Sequence, residues 1–163
     1  KIISSSKLVD MIKVLGCGIG QDFDISKLKY HRIILLSDAD VDGSHIQCLH
    51  MTNFYRIMRP IIEAGYVYAA CPPLFTLHKN NEVKYIINAE ELEKTDTEGW
   101  VINRNKGLGE QSPQELWDTT MNPETRILIQ IKVDDIEDTE EALSLCMGKD
   151  VDARREFILE EFK

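Results

Sequence analysis

The sequence predicts an α/β fold: a partly parallel sheet flanked by helices, with a hairpin insertion and a helical C-terminal tail. Three observations carry this. Residues 33–36 are an unbroken apolar run, Ile-Ile-Leu-Leu, which reads as a strand buried on both faces, as in a parallel sheet. Segments on either side of it, 8–15 and 46–61, place apolar residues at helical spacing. The last stretch, 136–162, reads as two acidic amphipathic helices.

In chain order, Leu8, Ile12 and Leu15 recur as on one face of a helix, with an N-cap among residues 4–6. The glycines at 16, 18 and 20 end that helix. They follow a helix and not a strand, so they are no dinucleotide fingerprint. A polar connection, 21–30, leads to the central strand. Beyond it, Ser44 is placed to cap a long helix whose apolar stripe is Ile46, Leu49, Phe54, Ile57 and Ile61. Pro60 predicts a kink near Arg59, because proline removes a backbone donor. Residues 66–70 form a second apolar strand, stopped by Cys71-Pro72-Pro73. Strands at 74–78 and 83–87 flank a hairpin turn, a short helix spans 90–94, and 100–103 reads as a further strand. Ser112-Pro113 starts a helix with Leu116 and Trp117 inward, and Asn122-Pro123 ends it. Residues 126–133 alternate as a strand with one buried face. Helices over 136–147 and 151–162 complete the chain. The adjacent Arg154 and Arg155 read as a solvated helix face.

The central strand runs directly into Asp38, Asp40 and Asp42, followed by Gly43 and Ser44. Ligands of α/β folds bind beyond the carboxyl ends of such strands. No Lys or Arg lies between Ser37 and Ser44, and neighbouring like charges disfavour each other's ionisation. A hard divalent cation relieves that repulsion, and Mg²⁺ typically takes one or two carboxylates plus substrate phosphate. The pattern therefore points to a magnesium site for phosphoryl-transfer chemistry. His45, at the positive end of the following helix, is a candidate donor toward a ligand; a plain surface residue is the competing reading. A second stretch, Arg104-Asn105-Lys106-Gly107-Leu108-Gly109-Glu110, combines cations with glycines that let a backbone approach phosphate, and Lys106 is its candidate contact.

Three rival readings stand beside this one. Asp-x-Asp-x-Asp-Gly also opens an EF-hand loop, but its twelfth position is Leu49 and a strand precedes it instead of a helix. A strand followed by Asp-x-Asp resembles haloacid-dehalogenase-type phosphatases. Their later Lys and acidic pair follow a strand, whereas Lys149-Asp150 here follows a helical pattern. The third is a solvated turn, which has no need of acids at alternate positions after a buried strand.

Composition sets bounds. A chain of 163 residues with 43% hydrophobic content holds one domain or two small ones and has material for a core. Its four cysteines form no C-x-x-C pair, which argues against a zinc ribbon and fits a reducing cytoplasm. No apolar run approaches membrane-spanning length and no signal-peptide pattern opens the chain, so no membrane role is expected. The start at Lys1, without Met, suggests a piece of a longer protein. A net charge of −9 argues against a free-standing nucleic-acid binder. If DNA is the substrate, cations come from metal, from other segments of the parent, or from a partner.

The motifs S-D-A-D-V-D-G-S-H-I (37–46) and K-G-L-G-E (106–110) occur with P-P-L (72–74), L-W-D-T-T-M-N-P-E-T-R (116–126) and M-G-K-D-V-D-A-R-R-E-F-I (147–158). Together, and in this order, they resemble the B subunit of bacterial type II DNA topoisomerases, gyrase or topoisomerase IV, across essentially the whole chain. Glu110 favours the bacterial form. The resemblance implies the C-terminal part of a Toprim domain over 1–110, with the hairpin region at about 74–105, and a B-subunit tail over 111–163. It implies that Asp38 and Asp40 bind Mg²⁺, with Mn²⁺ or Ca²⁺ able to substitute, and that Asp42 supports them as a third acid. It also implies double-stranded DNA as substrate, an A subunit that carries the nucleophilic tyrosine within an A2B2 assembly, and ATP bound only in an N-terminal part of the parent. The site's upstream Glu-Gly-Asp-Ser motif is absent here, so the chain alone is expected to be inactive. Departures from the family pattern are Gln47 for a usual Arg, polar His50 and Asn53 for apolar residues, and Asn105 for a usual Tyr. A non-catalytic docking or DNA-binding module is the other class of reading.

Overall fold

The computed structural model describes residues 5–161, which fall into two compact units. One comprises segments 1–31, 49–66 and 131–163; the other comprises 32–48 and 67–130. The first is helical and the second carries every strand described here, so the chain is mixed α/β as the pattern predicts.

In the helical unit, α1 (Ser6–Leu15) ends at Gly16, whose φ of 80° and N–H bond to the Ile12 carbonyl make a left-handed cap. Ser5 occupies its N-cap position without a side-chain bond, and Ser4 lies outside the described residues. The long α2 (Val41–Glu63) begins in one unit and ends in the other. Its backbone leaves helical geometry at Met58 (φ −143°, ψ 36°), two residues before Pro60, where the sequence places the kink. Phe54, Tyr55, Met58, Ile61 and Ile62 form the core of this unit with Leu15 and Cys17. The expected stripe therefore packs only in its second half; Ile46 and Leu49 are exposed.

Helix α5 (Ile136–Met147) matches its expected bounds and is capped by Asp135, whose carboxylate accepts from the Asp138 N–H at 2.9 Å. Described residues of α6 (Val151–Glu161) include none that is buried, with Phe157, Ile158 and Leu159 all exposed. Arg154 corrects a reading. It is not a solvated cation: its Nη1 donates to the carbonyls of Leu145 at 3.1 Å and Gly148 at 2.8 Å, satisfying the C-terminal end of α5.

The strand-bearing unit holds two three-stranded sheets, ordered β1-β2-β6 and β4-β3-β5. In the first, β1 (Ile33–Leu35) pairs parallel to β2 (Val67–Ala70) with Ile33 opposite Val67. Antiparallel to β2 runs β6 (Leu128–Gln130). β1 is half-buried and not buried on both faces, and Leu36 beyond it is exposed, because β2 is the only strand paired with β1 among the described residues. Only Leu128–Gln130 of the expected 126–133 strand is laddered, limited by its short partner β2. In the second sheet, β3 (Phe75–Lys79) and β4 (Glu82–Ile86) form the expected hairpin, Lys79 facing Glu82 across a turn in which Asn80 adopts φ 55°. The other edge is β5 (Val101–Arg104). Helix α3 (Ala89–Lys94) is capped by Asn88.

Helix α4 (Pro113–Leu116) opens on a reciprocal capping box between Ser112 and Glu115. It continues as a π turn, Trp117–Met121. The wider turn shifts the inward face: Trp117 is 50% exposed, against expectation, and Thr119 and Thr120 are buried instead. Their hydroxyls donate to the Glu115 and Leu116 carbonyls, both at 2.7 Å. None of the described helices is long and apolar enough to cross a membrane.

Candidate metal centre

Asp38 lies three residues beyond the last residue of β1, at the carboxyl end of a parallel strand. Its Oδ1 accepts from the Leu108 N–H at 2.7 Å. The two unusual stretches of the sequence therefore meet here, the acid motif and the Gly-Leu-Gly loop. Gly107 eases the approach: a Cβ there would lie 3.3 Å from both Cγ and Oδ1 of Asp38, a tight contact that a small shift of the carboxylate would relieve. The loop is closed locally. The Lys106 N–H donates to Glu110 Oε2 at 2.9 Å, and the Glu110 N–H to the Gly107 carbonyl at 3.1 Å.

Asp40 acts as the N-cap of α2, which corrects the expectation for Ser44. Its Oδ1 accepts from the Gly43 N–H at 2.7 Å, and its carbonyl accepts from Ser44 Oγ at 3.0 Å. The helix thus starts at Val41, four residues earlier than a Ser44 cap requires. Gly43 does not serve a turn. A Cβ on it would lie 2.0 Å from the Asp38 carbonyl oxygen, so glycine lets the first helical turn sit against the strand tip. Asp42 is exposed in that first turn, where an acid complements the helix dipole.

Asp38, Asp40 and Asp42 are not buried, and none forms an ion pair among the described residues. Asp38 and Asp40 each present a second oxygen, Oδ2, beyond the one held by a backbone N–H. That donor set suits a hard, oxygen-seeking cation at one or two carboxylates. It is not a closed cage: no three His, Cys, Asp or Glu side chains converge on one point among the described residues. His45 is exposed on the first turns of α2, and Lys106 stands on the loop that holds Asp38. Neither side chain is hydrogen-bonded or ion-paired to the three acids among the described residues.

Two residues that the pattern did not single out for the site position it. Asn105 anchors the loop: its Nδ2 donates to the Pro73 carbonyl at 3.1 Å and to the buried Thr76 Oγ1 at 2.9 Å, while its N–H bonds the Leu74 carbonyl. The departure from Tyr is thus a polar anchor against the Pro72-Pro73 segment. Glu110 ties the loop ends together. The i, i+4 spacing of Lys106 and Glu110 was the available signal for the latter; Asn105 had none, because its partners lie 29 and 32 residues away.

Residues 1–72 match the Toprim domain model, and residues 97–159 match the model for the carboxyl terminus of the DNA gyrase B subunit. The DNA gyrase B subunit of Archaeoglobus fulgidus is 48% identical over 165 residues, covering 100% of this chain and 26% of that protein. Its counterpart in Staphylococcus aureus is 47% identical over 163 residues, covering 97% of the chain and 25% of the relative. The chain thus spans about a quarter of the length of these curated relatives. With two family models matched in order and near-half identity along its whole length, the chain belongs to the DNA gyrase B-subunit family.

Proposed function

We propose that this chain supplies the metal-binding part of the DNA cleavage and religation centre of an ATP-dependent type II topoisomerase. Asp38 and Asp40 are the proposed ligands of Mg²⁺, with Asp42 as the supporting acid. The observation that carries the reading is the Asp38 carboxylate, fixed by the Leu108 N–H with its other oxygen left over, beside an acid that caps α2. When bound, the ion supplies Lewis-acid polarisation of the scissile phosphate and stabilises the leaving 3′ oxygen.

The chain's own residues do the positioning. The N–H groups of Leu108 and Gly43 each hold one oxygen of one carboxylate, Asp38 and Asp40 respectively. Asp42 adds negative charge that draws a cation to the first turn of α2. Lys106 and His45 are the proposed contacts to DNA phosphates, the first on the loop that clamps Asp38. The substrate is double-stranded DNA, and the nucleophilic tyrosine lies in a partner A subunit within an A2B2 assembly. ATP binds in a part of the parent outside this chain, and the work is done in the cytoplasm on the chromosome. Residues 1–110 form the Toprim share of the chain and 111–163 the tail.

The test uses the full-length parent protein with its A-subunit partner, ATP and Mg²⁺. Asp38→Ala and Asp40→Ala each lower DNA cleavage and relaxation by about a hundredfold or more. Calorimetric titration with Mn²⁺ reads the metal step separately. Unchanged cleavage in both variants overturns the catalytic reading and leaves a docking module.

A further inference from the structure

The strand-bearing unit contains a cavity of about 430 Å³, within the size range of small-molecule sites. Its apolar walls come from Pro73, Ile87 and Ile127, and Cys71 lines it as well. Two carboxylates reach the same cavity, Glu91 from α3 and Asp118 from the π turn. Neither has an ion-pair partner among the described residues. Each is held through one oxygen by a neutral donor: Glu91 Oε2 by the Ile87 N–H at 2.8 Å, Asp118 Oδ1 by Gln114 Nε2 at 2.9 Å. Glu91 is exposed and Asp118 half-buried, and no cation is paired with either carboxylate among the described residues. Tyr85 senses this field. Burial, then Asp118 and Glu115, push its hydroxyl above the ordinary range, so it stays protonated as a donor.

We infer that this cavity binds an organic ammonium, a primary amine carried on a short apolar body. The apolar walls take the body and the two carboxylates take the charge. A neutral molecule of the same shape gains only the first, and an anion is repelled by both acids. The chemistry is separate from the strand-tip acids, since none of the cavity residues belongs to that cluster.

The experiment follows alkylation of Cys71 by iodoacetamide in the full-length protein, by peptide mass spectrometry, with the exposed Cys146 as internal reference. Tryptamine is the probe and tryptophol its neutral counterpart. At about ten times its Kd, tryptamine slows Cys71 labelling about tenfold and leaves Cys146 unchanged. Tryptophol protects only at concentrations about tenfold higher. Asp118→Asn and Glu91→Gln keep a hydrogen-bond acceptor and fold as the parent does by thermal melt, and each weakens tryptamine protection about tenfold. If one variant melts early, the other carries the test. N-acetyl-lysine methylamide, run alongside, tells whether a free amine or a protein lysine is the better source of that ammonium. Equal protection by tryptophol, no protection by tryptamine, or unaltered protection in the folded variants overturns the inference.

Discussion

The Leu108 N–H donates to Oδ1 of Asp38 at 2.7 Å, across 70 residues of sequence. This bond makes the Gly-Leu-Gly loop a clamp on the acid motif. Gly107→Ala tests it. The backbone at 107 is extended (φ −159°), so alanine brings no strain of its own. Its methyl would stand 3.3 Å from the Asp38 carboxyl group, which must shift by a few tenths of an ångström and so weakens its bond to the Leu108 N–H. A hydrogen bond to a charged group contributes about 1.5–3 kcal/mol. Mn²⁺ affinity by calorimetry is expected to fall several-fold, and the melting temperature by a few degrees.

Asp40 has two roles that substitution separates. Asp40→Asn keeps a side-chain oxygen for the Gly43 N–H and removes the charge. Asp40→Ala removes both. In urea unfolding, Asp40→Ala is expected to cost about 1 kcal/mol and Asp40→Asn only a few tenths, since both Asp and Asn cap well. Both variants are expected to lose Mn²⁺ binding. Equal stability loss in the two would overturn the cap assignment.

Arg154 joins the first turn of α6 to the end of α5 through the Leu145 and Gly148 carbonyls. Arg154→Ala leaves those carbonyls to water and removes a cation from a helix C-terminus. The expected cost is about 1 kcal/mol, with faster amide hydrogen exchange around residues 145–149 and unchanged Mn²⁺ affinity.

Tyr85 predicts an alkaline weakness. Its folded-state pKa is raised by burial, then by Asp118 and Glu115. The protonated phenol is therefore favoured by folding. Its contribution is complete below the unfolded value of about 10 and is lost as pH rises through the higher folded value. Tyr85→Phe cannot lose a proton. Denaturation midpoints measured from about pH 8 to pH 11 should fall less steeply in the variant than in the parent.

Legibility in the sequence followed the range of the interactions. Helix α5 is bounded by Asp135 and Gly148, both local signals, and it lies where its pattern places it. The hairpin and the kink before Pro60 are equally local. The start of α2 is ambiguous in the sequence because Asp40, Asp42 and Ser44 are all capping types, and only the geometry at Gly43 selects among them. A 3.6-residue period sets Trp117 inward, and the π turn does not keep that period. Asp38, Asp40 and Asp42 were legible as a cluster from their spacing alone. The bonds that arrange them with the loop were not. Leu108 and Asn105 reach partners far along the chain, and a backbone N–H leaves no mark in residue identity.

The shared geometry of Asp38 and Asp40 has a thermodynamic consequence. In both, Oδ1 is committed to a main-chain N–H of the same unit. A free aspartate samples several rotamers and gives up that freedom when it coordinates an ion. Here the side-chain torsions are settled when the chain folds, before any cation arrives. Loading such a pair brings little further loss of disorder, and the affinity rests on charge and dehydration instead.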